Sequence, residues 1–411
     1  MLKLFNTFGK KIESFKPANP DQVSIFTCGP SVYQRPHIGN MRTFLFEDLL
    51  VRYLEYLGYN VKRGMNLTDV EDKAISEAKK EHLSVQKLTD RNIKMFVGEM
   101  KLLKVKVPDL LPRASDHVDQ AVRIILDLLE RGMAYWYRGN IYFDPLKYEG
   151  FGKLFGLDMS RWPKSRKRFH KDTYPGIQWN LGDFILWFGY KEGDEVCWDT
   201  KIGKGRPSWN IQDPSMIVDY FNETLSIYCG GIDNLYRHHD YTLAILESIR
   251  PFPMARYWLH GHHLLVNGQK MSKSKGNIVY VDTLLSQGFS IEEIRFSLIY
   301  GHYRDEMNFS AKGMEAAAGR LREFKGLVGA IRKHAARKHT GSSAPVEGKV
   351  AIMLKKTFVD TMDNDLDVKG AFDGLYRIIA GLKPDELKPA EAAGIVKTLR
   401  EIDNVLKVIF K

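Results

Sequence analysis

The chain of 411 residues lacks several features that mark other classes of protein. It has three cysteines, Cys28, Cys197 and Cys229, which are too few for a disulfide framework and are typical of a reducing compartment. It has no run of 18 apolar residues, and residues 1–6 contain no sustained apolar stretch, so the sequence predicts neither a membrane-spanning helix nor a signal peptide. We therefore expect a cytoplasmic protein without membrane contact.

The composition that is present fits a large globular protein. Apolar residues make up 44% of the chain and charged residues 27%, and this length is enough for two or three domains with a sizeable core. The formal net charge of +11 favours a polyanionic partner. Many lysine-rich proteins are basic without binding nucleic acid, however, and ATP alone would need only a local basic patch.

The first 115 residues alternate between strand-like and helical patterns. Residues 23–26 and 61–66 are typical of buried strands, and residues 44–57 have a helical pattern between them. A polar turn follows at residues 68–72. Such alternation predicts an α/β fold with a doubly wound parallel sheet.

The remainder of the chain is less regular. An amphipathic helix is predicted at 116–134, a strand at 139–144, and a basic run occupies 161–171. The strand-like pattern is expected to resume near Trp209. This interruption of the pattern indicates an insertion within the sheet domain. From residue 311 the pattern is helical, with a polar break at 339–345.

Two short motifs carry the clearest chemistry. Residues 36–40 (PHIGN) follow the first predicted strand and open the helical stretch, where backbone N–H groups and the helix dipole can bind phosphate. Gly39 allows a flat base to approach the backbone, and His37 can donate to phosphate oxygens.

The second motif, residues 270–274 (KMSKS), follows 233 residues after His37. Its lysines, Lys270 and Lys273, can stabilise charge that moves onto a leaving pyrophosphate. Either motif alone is weak, and the second alone is also typical of a solvated loop. Their order and setting together predict an ATP site that forms an adenylate.

In these motifs and in further segments, the chain resembles cysteinyl-tRNA synthetases, which are class I aminoacyl-tRNA synthetases. The resemblance covers nearly the whole chain. The segments that carry it are 27–30 (TCGP), 32–33 (VY), 66–73 (NLTDVEDK), 183–187 (DFILW), 203–207 (GKGRP), 209–211 (WNI), 230–233 (GGID), 238–239 (HH), 257–258 (YW) and 276–277 (GN).

The resemblance implies a Rossmann-type class I synthetase catalytic domain with an inserted connective domain, followed by a helical bundle. The expected divisions are 1–115 and 206–255 for the two halves of the catalytic domain, 116–205 for the insertion, 256–310 for a stem-contact region with the lysine loop, and 311–411 for the bundle. A monomer is expected.

The resemblance also implies a mechanism. ATP and Mg²⁺ activate an amino acid, whose carboxylate attacks the α-phosphorus, and the acyl group passes to a tRNA. The expected catalytic residues are His37, Asn40, Lys270 and Lys273, and the expected ATP-binding residues are Gly29, His37, Gly39, Asn40, Asp233 and Lys273. The expected substrate-binding residues are Cys28, Thr68, Trp209, Asp213 and His238. Trp209 is expected to form the floor of the amino acid pocket; the alternative is that it is an ordinary residue of the hydrophobic core.

The zinc site is where the chain departs most from the family, in which two cysteines, a histidine and a glutamate hold the ion that selects the substrate thiol. Cys28 and His238 occupy two of these positions. Asp213 stands at the second cysteine position, Thr242 at the glutamate position, and Cys229 in place of a further family histidine before the double glycine.

Three interpretations of Asp213 are open. Zn²⁺ can persist on Cys28, Asp213 and His238, helped by Cys229 or by water. Alternatively the metal is absent, and Asp213 is a buried carboxylate that selects a cationic or hydrogen-bonding side chain, so that cysteine is not the best substrate. Finally, Asp213 can simply cap a helix or pair with Arg237.

The end of the chain gives a second departure. Residues 362–366 (MDNDL) resemble the family's bundle, but the small anticodon-contacting domain that usually follows is not seen before residue 411, so weaker anticodon reading is expected. Three functions are therefore compared: a divergent aminoacyl-tRNA synthetase, an aminoacyl ligase with a non-tRNA acceptor or a non-cysteine amino acid, and a silent tRNA-binding paralogue. The intact ATP motifs argue against the third. The basic composition favours the first over the second, whereas the missing tail and the altered pocket favour the second.

Overall fold

The computed structural model describes residues 1–161, 182–272, 275–336 and 347–410. Its strands are β1 (Lys3–Asn6), β2 (Lys11–Ser14), β3 (Val23–Thr27), β4 (Val61–Met65), β5 (Ala134–Tyr137), β6 (Asn140–Phe143), β7 (Phe184–Gly189), β8 (Gly205–Pro207), β9 (Leu225–Gly231), β10 (Ala255–Gly261), β11 (Leu264–Val266), β12 (Gln269–Lys270) and β13 (Met307–Phe309). Its α-helices are α1 (Ile38–Tyr56), α2 (Asp72–Lys80), α3 (Val85–Leu102), α4 (Val118–Glu130), α5 (Trp209–Tyr220), α6 (Asp240–Ile249), α7 (Val281–Ser286), α8 (Ile291–Ile299), α9 (Ala311–Ala335), α10 (Lys349–Met362), α11 (Val368–Ala380) and α12 (Pro389–Leu406).

A four-stranded parallel sheet in the order β10-β9-β3-β4 lies at the centre of the catalytic region. All five residues of β3 are buried, as expected for a parallel strand that is covered on both faces. Ile25 and Ile227 pack with α1 on one face, whereas Phe26 and Tyr228 pack with α5 and α6 on the other. The doubly wound α/β fold and the second parallel strand are confirmed.

The first helix begins earlier than the sequence pattern predicts, at Ile38 rather than at Phe44. His37 caps it: the His37 Nδ1 accepts from the Asn40 backbone N–H at 3.3 Å, and the Asn40 Oδ1 accepts from the His37 N–H at 3.1 Å. This reciprocal pair satisfies two N–H groups that a helix start leaves unpaired. The PHIGN motif therefore forms the cap and first turn of α1.

The expected return of the sheet near Trp209 is wrong, because Trp209 begins helix α5. The side chain of Ser208 accepts from the Asn210 N–H at 3.2 Å and starts the helix. Parallel pairing resumes only with β9.

A separate antiparallel sheet in the order β5-β6-β7-β8 interrupts the parallel one in sequence, and α4 packs against it. Strand β6 and helix α4 confirm the predicted strand at 139–144 and the amphipathic helix at 116–134. The basic run at 161–171 lies, from residue 162 onward, outside the described residues. The division boundaries drawn from the sequence stay predictions.

Helices α9 to α12 follow the small sheet β12-β11-β13 and confirm the helical pattern after residue 311. The polar break at 339–345 lies outside the described residues. Within the part of the chain that the structure describes, no helix combines the length and the apolar character needed to cross a bilayer.

Candidate active site

A cleft with an empty volume of about 1320 Å³ opens at the carboxyl ends of β3 and β9. These neighbouring strands lead to α1 on one face of the sheet and to α6 on the other, so the loops after them diverge. Ligands of doubly wound sheets bind at such a switch point. The predicted site residues that line the cleft are Cys28, Gly29, His37, Gly39, Asn40, Asp233 and Lys270.

Lys273, the remaining predicted ATP-site residue, lies outside the described residues. Four of the predicted substrate-binding residues do not line the cleft: Thr68, Trp209, Asp213 and His238. The last three lie behind Cys28. Thr68 supports the loop after β3. The Asn66 side chain explains that support: its Nδ2 donates to the Thr68 Oγ1 at 3.2 Å, and its Oδ1 accepts from the Gly29 N–H at 2.6 Å. Asn66 was not among the predicted site residues.

His37 is neutral at physiological pH. Its pKa is lowered to about 4, mainly by burial and also by nearby Lys270, against a backbone hydrogen bond that raises it. Because the Nδ1 accepts from the Asn40 N–H, the proton of the neutral ring is assigned to Nε2. His37 thus presents an uncharged N–H donor, as the sequence interpretation requires.

The packing of the chain itself requires glycine at position 29 and leaves little room for a side chain at Gly39. A Cβ on Gly29 would lie 1.8 Å from the Asn66 carbonyl oxygen, and a Cβ on Gly39 would lie 2.5 Å from the Met271 Cε. Both distances are far below any real contact. The Met271 Cε is the end of a flexible side chain that can shift, so the packing does not strictly require glycine at position 39, which lies beside the lysine loop.

Two lysines face the cleft from different elements. The Lys270 Nζ lies 3.7 Å from the Asp233 Oδ2, and the Lys270 side chain is 62% exposed. Lys73, at the start of α2, also lines the cleft, and its ammonium lies 5.3 Å from the Tyr33 ring centroid. Burial lowers the pKa of Lys73, partly offset by Glu71. The sequence analysis included Lys73 in a family segment but assigned it no role.

A buried polar cluster lies behind Cys28. One ligating atom each of Cys28, Asp213 and His238 lies within 4.8 Å of the other two. The three residues are 8%, 0% and 7% exposed, so the cluster is shielded from water. The Trp209 ring stacks on the His238 imidazole with 4.8 Å between centroids, which places Trp209 beside the predicted amino acid pocket.

Asp213 has two hydrogen-bond partners, and both are on one oxygen. Its Oδ2 accepts from the Tyr228 hydroxyl at 2.9 Å and lies 3.0 Å from the His238 Nε2. Its Oδ1 is buried and has no hydrogen-bond partner among the described residues. The alternatives of a helix cap and of a pair with Arg237 are both wrong, since Ser208 caps α5 and the donors to Asp213 are Tyr228 and His238.

Cys229 does not join this cluster. Successive residues of a strand face opposite sides of the sheet, and Cys229 packs on the α1 side, whereas Tyr228 faces Asp213. The proposed help from Cys229 in metal binding is therefore wrong. Thr242 turns back to its own helix, where its hydroxyl donates to the His238 carbonyl at 2.8 Å.

The cluster fits a zinc ion by its donor set. A thiolate, an imidazole and a carboxylate are ligands that Zn²⁺ prefers, and three protein ligands with an open fourth position are typical of catalytic zinc. The unpartnered Asp213 Oδ1 is a buried lone-pair donor that a cation would satisfy. Burial, and then Asp213, raise the pKa of the Cys28 thiol, so this cysteine needs a cation to become a thiolate at neutral pH.

Comparisons with known proteins agree with the geometry. The family model "tRNA synthetases class I (C) catalytic domain" matches residues 14–319. A cysteine--tRNA ligase of Chlamydia muridarum is 36% identical over 423 residues, which cover 99% of this chain and 88% of that protein. A cysteine--tRNA ligase of Brachyspira hyodysenteriae is 35% identical over 408 residues, which cover 98% and 85% of the two chains.

Solved structures show the same fold at low identity. Mycobacterium tuberculosis methionyl-tRNA synthetase in complex with methionyl-adenylate superposes with a TM-score of 0.65, 14% identity and coverage of 95% of this chain and 90% of that chain. LeuRS of Agrobacterium radiobacter, in a ternary complex with tRNA and LeuAMS, gives a TM-score of 0.68, 12% identity and coverage of 96% and 85%. From the family model and the cysteine--tRNA ligase relatives together, the chain belongs to the class I aminoacyl-tRNA synthetases, in their cysteine group.

Proposed function

We propose that this ligase activates cysteine with ATP and transfers it to a tRNA. The observation that carries the proposal is the position of the Cys28, Asp213 and His238 cluster, which adjoins the cleft at the carboxyl end of β3. The predicted ATP motifs and a cluster suited to binding a thiol therefore lie at the same switch point of the sheet. The curated relatives are cysteine--tRNA ligases, which supports the same substrate.

The phosphate end of the cleft provides the stabilisation that adenylate formation needs. His37 offers a neutral N–H donor, and Lys270 offers a mobile ammonium paired with Asp233. As the amino acid carboxylate attacks the α-phosphorus, negative charge moves onto the pyrophosphate. Donors placed where charge develops lower the barrier more than donors that bind the ground state. The proposal also includes Lys273 and a Mg²⁺ ion bound to the phosphates, which help to stabilise this charge.

The amino acid end of the cleft would hold Zn²⁺ on Cys28, Asp213 and His238. When bound, the ion offers an open position that a substrate thiolate can fill and that a serine hydroxyl fills poorly. Trp209 stacks on the imidazole and limits its orientation.

A second candidate is a metal-free pocket that activates a different amino acid. The observation in its favour is that Tyr228 and His238 already hydrogen-bond Asp213 without any ion. The vacant hydrogen-bonding capacity of Oδ1 would then receive an ammonium or amide of the substrate. The prediction that cysteine is not the best substrate belongs to this candidate.

Amino-acid-dependent pyrophosphate exchange with all common amino acids, together with elemental analysis, decides between the two. We expect exchange with cysteine, about one zinc ion per chain, and loss of zinc in Cys28→Ser. Exchange with a basic amino acid by zinc-free protein would establish the second candidate. No exchange with any amino acid would contradict the ligase function as a whole.

The acceptor, the assembly state and the cellular location are parts of the same proposal. We assign a tRNA as the acceptor because the chain carries a net charge of +11 and a helical region after the catalytic domain. A monomer in the cytoplasm is proposed. Transfer of labelled cysteine to total tRNA, compared with transfer to small amines, tests the acceptor, and analytical ultracentrifugation tests the assembly.

A further inference from the structure

We propose that Tyr228 is a positioning residue for the amino acid pocket: its hydroxyl holds Asp213 through Oδ2 and leaves the buried Oδ1 available to a metal ion held with Cys28 and His238. The inference rests on the zinc site of the proposed function. It concerns how a carboxylate serves at a position where the family has a cysteine.

Tyr228 is held rigidly. It is fully buried, and its ring stacks on Phe26 with 5.9 Å between centroids and an interplanar angle of 8°. Trp258 and His239 pack against it with centroid distances of 5.0 and 4.7 Å. A hydroxyl on so constrained a ring can select one orientation of its acceptor.

The acceptor is one defined oxygen. The Tyr228 hydroxyl donates to the Asp213 Oδ2 at 2.9 Å, whereas Oδ1 has no partner among the described residues. A carboxylate oxygen can only accept, so the phenol is the donor in this pair. The two oxygens of Asp213 are therefore made inequivalent by the fold.

This inequivalence matters because a carboxylate differs from a thiolate as a ligand. A cysteine presents one sulfur, but an aspartate can turn and offer either oxygen, or both. The His238 Nε2 also lies 3.0 Å from Oδ2, yet a ring nitrogen that binds a metal carries no proton to donate. The buried His238 Nδ1 has no hydrogen-bond partner among the described residues, so either ring nitrogen can be the ligand, and the Tyr228 hydroxyl donates to Oδ2 in both cases.

The experiment measures the dissociation constant of Zn²⁺ by competition with a chromophoric chelator. We expect Tyr228→Phe to weaken zinc binding by about 10- to 100-fold, which is the usual effect of removing a hydrogen bond to a ligating group. The matched control is Tyr257→Phe, because Tyr257 lies on the adjacent strand β10 and is also buried, and its hydroxyl donates to the Ser14 carbonyl instead. Its zinc affinity should equal that of the unmodified chain.

A second comparison separates positioning from general packing. In an Asp213→Cys background the ligand has a single donor atom, so adding Tyr228→Phe should change zinc affinity by less than about threefold. The double variant also keeps the inference testable if Tyr228→Phe alone unfolds. With cysteine at position 213, the loss of the Tyr228 hydroxyl leaves no buried carboxylate without its donor. An equal loss of affinity in both backgrounds would overturn the inference.

The outcomes for the inference and for the function are distinct. If Tyr228→Phe binds zinc as tightly as the unmodified chain and still activates cysteine, the inference is wrong and the proposed function stands. If Tyr228 governs zinc affinity but cysteine is not activated, the function is wrong and the inference stands. Unmodified protein that binds no zinc overturns the inference whatever it activates.

Discussion

At the scale of single residues, Lys270 is the cleft lysine that the proposed function assigns to the departing pyrophosphate. Its side chain is 62% exposed and lies 3.7 Å from Asp233, so it can move with little cost when phosphate enters the cleft. We predict that Lys270→Ala lowers the rate of adenylate formation by about 10²-fold and changes ATP affinity much less. Single-turnover kinetics with cysteine would measure both quantities.

Lys273→Ala is expected to behave in the same way, from its place in the KMSKS motif alone. Lys349→Ala, at the start of α10, is the control for the loss of one positive charge from the chain and should retain full activity. A loss confined to ATP affinity, with an unchanged rate at saturation, would show that these lysines bind the ground state instead.

His260 gives a prediction on pH. It is fully buried beside the Thr7 hydroxyl and His239, and burial lowers its pKa to about 3. In the unfolded chain a histidine has a pKa near 6.5, so between these values the unfolded state binds more protons and stability falls as pH falls. His260 alone should destabilise the protein by about 2 kcal/mol at pH 5 relative to pH 7.5.

The measurement is urea denaturation at both pH values for the unmodified chain and for His260→Asn. The variant should lose about 2 kcal/mol less stability on acidification. His82→Asn replaces an exposed histidine and should keep the pH dependence of the unmodified chain. Identical pH dependence in all three proteins would show that another group causes acid destabilisation.

At the scale of elements, the turn after β3 tolerates no side chain at Gly29. A Cβ there would lie 1.8 Å from the Asn66 carbonyl oxygen at the end of β4, and the Gly29 N–H would lose its bond to the Asn66 side chain. We predict that Gly29→Ala destabilises the protein by about 3 kcal/mol and abolishes amino acid activation, because the turn after β3 lines the cleft.

The matched control is Gly98→Ala within helix α3. No atom lies within 4 Å of a Cβ at Gly98, so this change should stabilise the helix by about 0.5–1 kcal/mol and leave activity intact. Thermal unfolding of both variants tests the pair. Full activity in Gly29→Ala would mean that the turn after β3 can rearrange without cost to the site.

At the scale of the whole molecule, Asp365 joins three parts of the chain. Its buried carboxylate accepts from the Phe5 N–H at 2.8 Å, the Tyr303 hydroxyl at 2.7 Å and the Arg304 Nε at 2.7 Å. The N-terminal hairpin, the segment before β13 and the helical bundle are thereby linked. We predict that Asp365→Ala costs about 3 kcal/mol, because a buried polar network loses its acceptor.

Asp360→Ala provides the comparison, because Asp360 is 61% exposed and its ion pair within the described part of the chain is with Lys356, one helical turn away. Removing such a surface pair should cost less than about 0.5 kcal/mol. Chemical denaturation would rank the two variants. Equal stabilities would show that the three parts are held together by apolar packing rather than by Asp365.

Much of this protein follows from its sequence alone. The pattern of residues 23–26 and 61–66 predicts the parallel strands, because a strand covered on both faces must be apolar along its length. The PHIGN and KMSKS motifs predict an ATP site, and the structure places His37 and Lys270 along one cleft; the binding of ATP there stays a prediction. The start of α1 was misplaced because a capping box extends a helix beyond its apolar pattern.

The amino acid pocket was decided by the tertiary structure. The sequence showed that Asp213 replaces a family cysteine, but its partners come from Tyr228 and His238, which lie 15 and 25 residues away. Whether Tyr228 or Cys229 faces the pocket depends on the register of β9 against β3, since a shift of one residue exchanges the two faces of a strand. No local pattern encodes that register, which is set by the packing of the whole sheet between α1 on one face and α5 and α6 on the other.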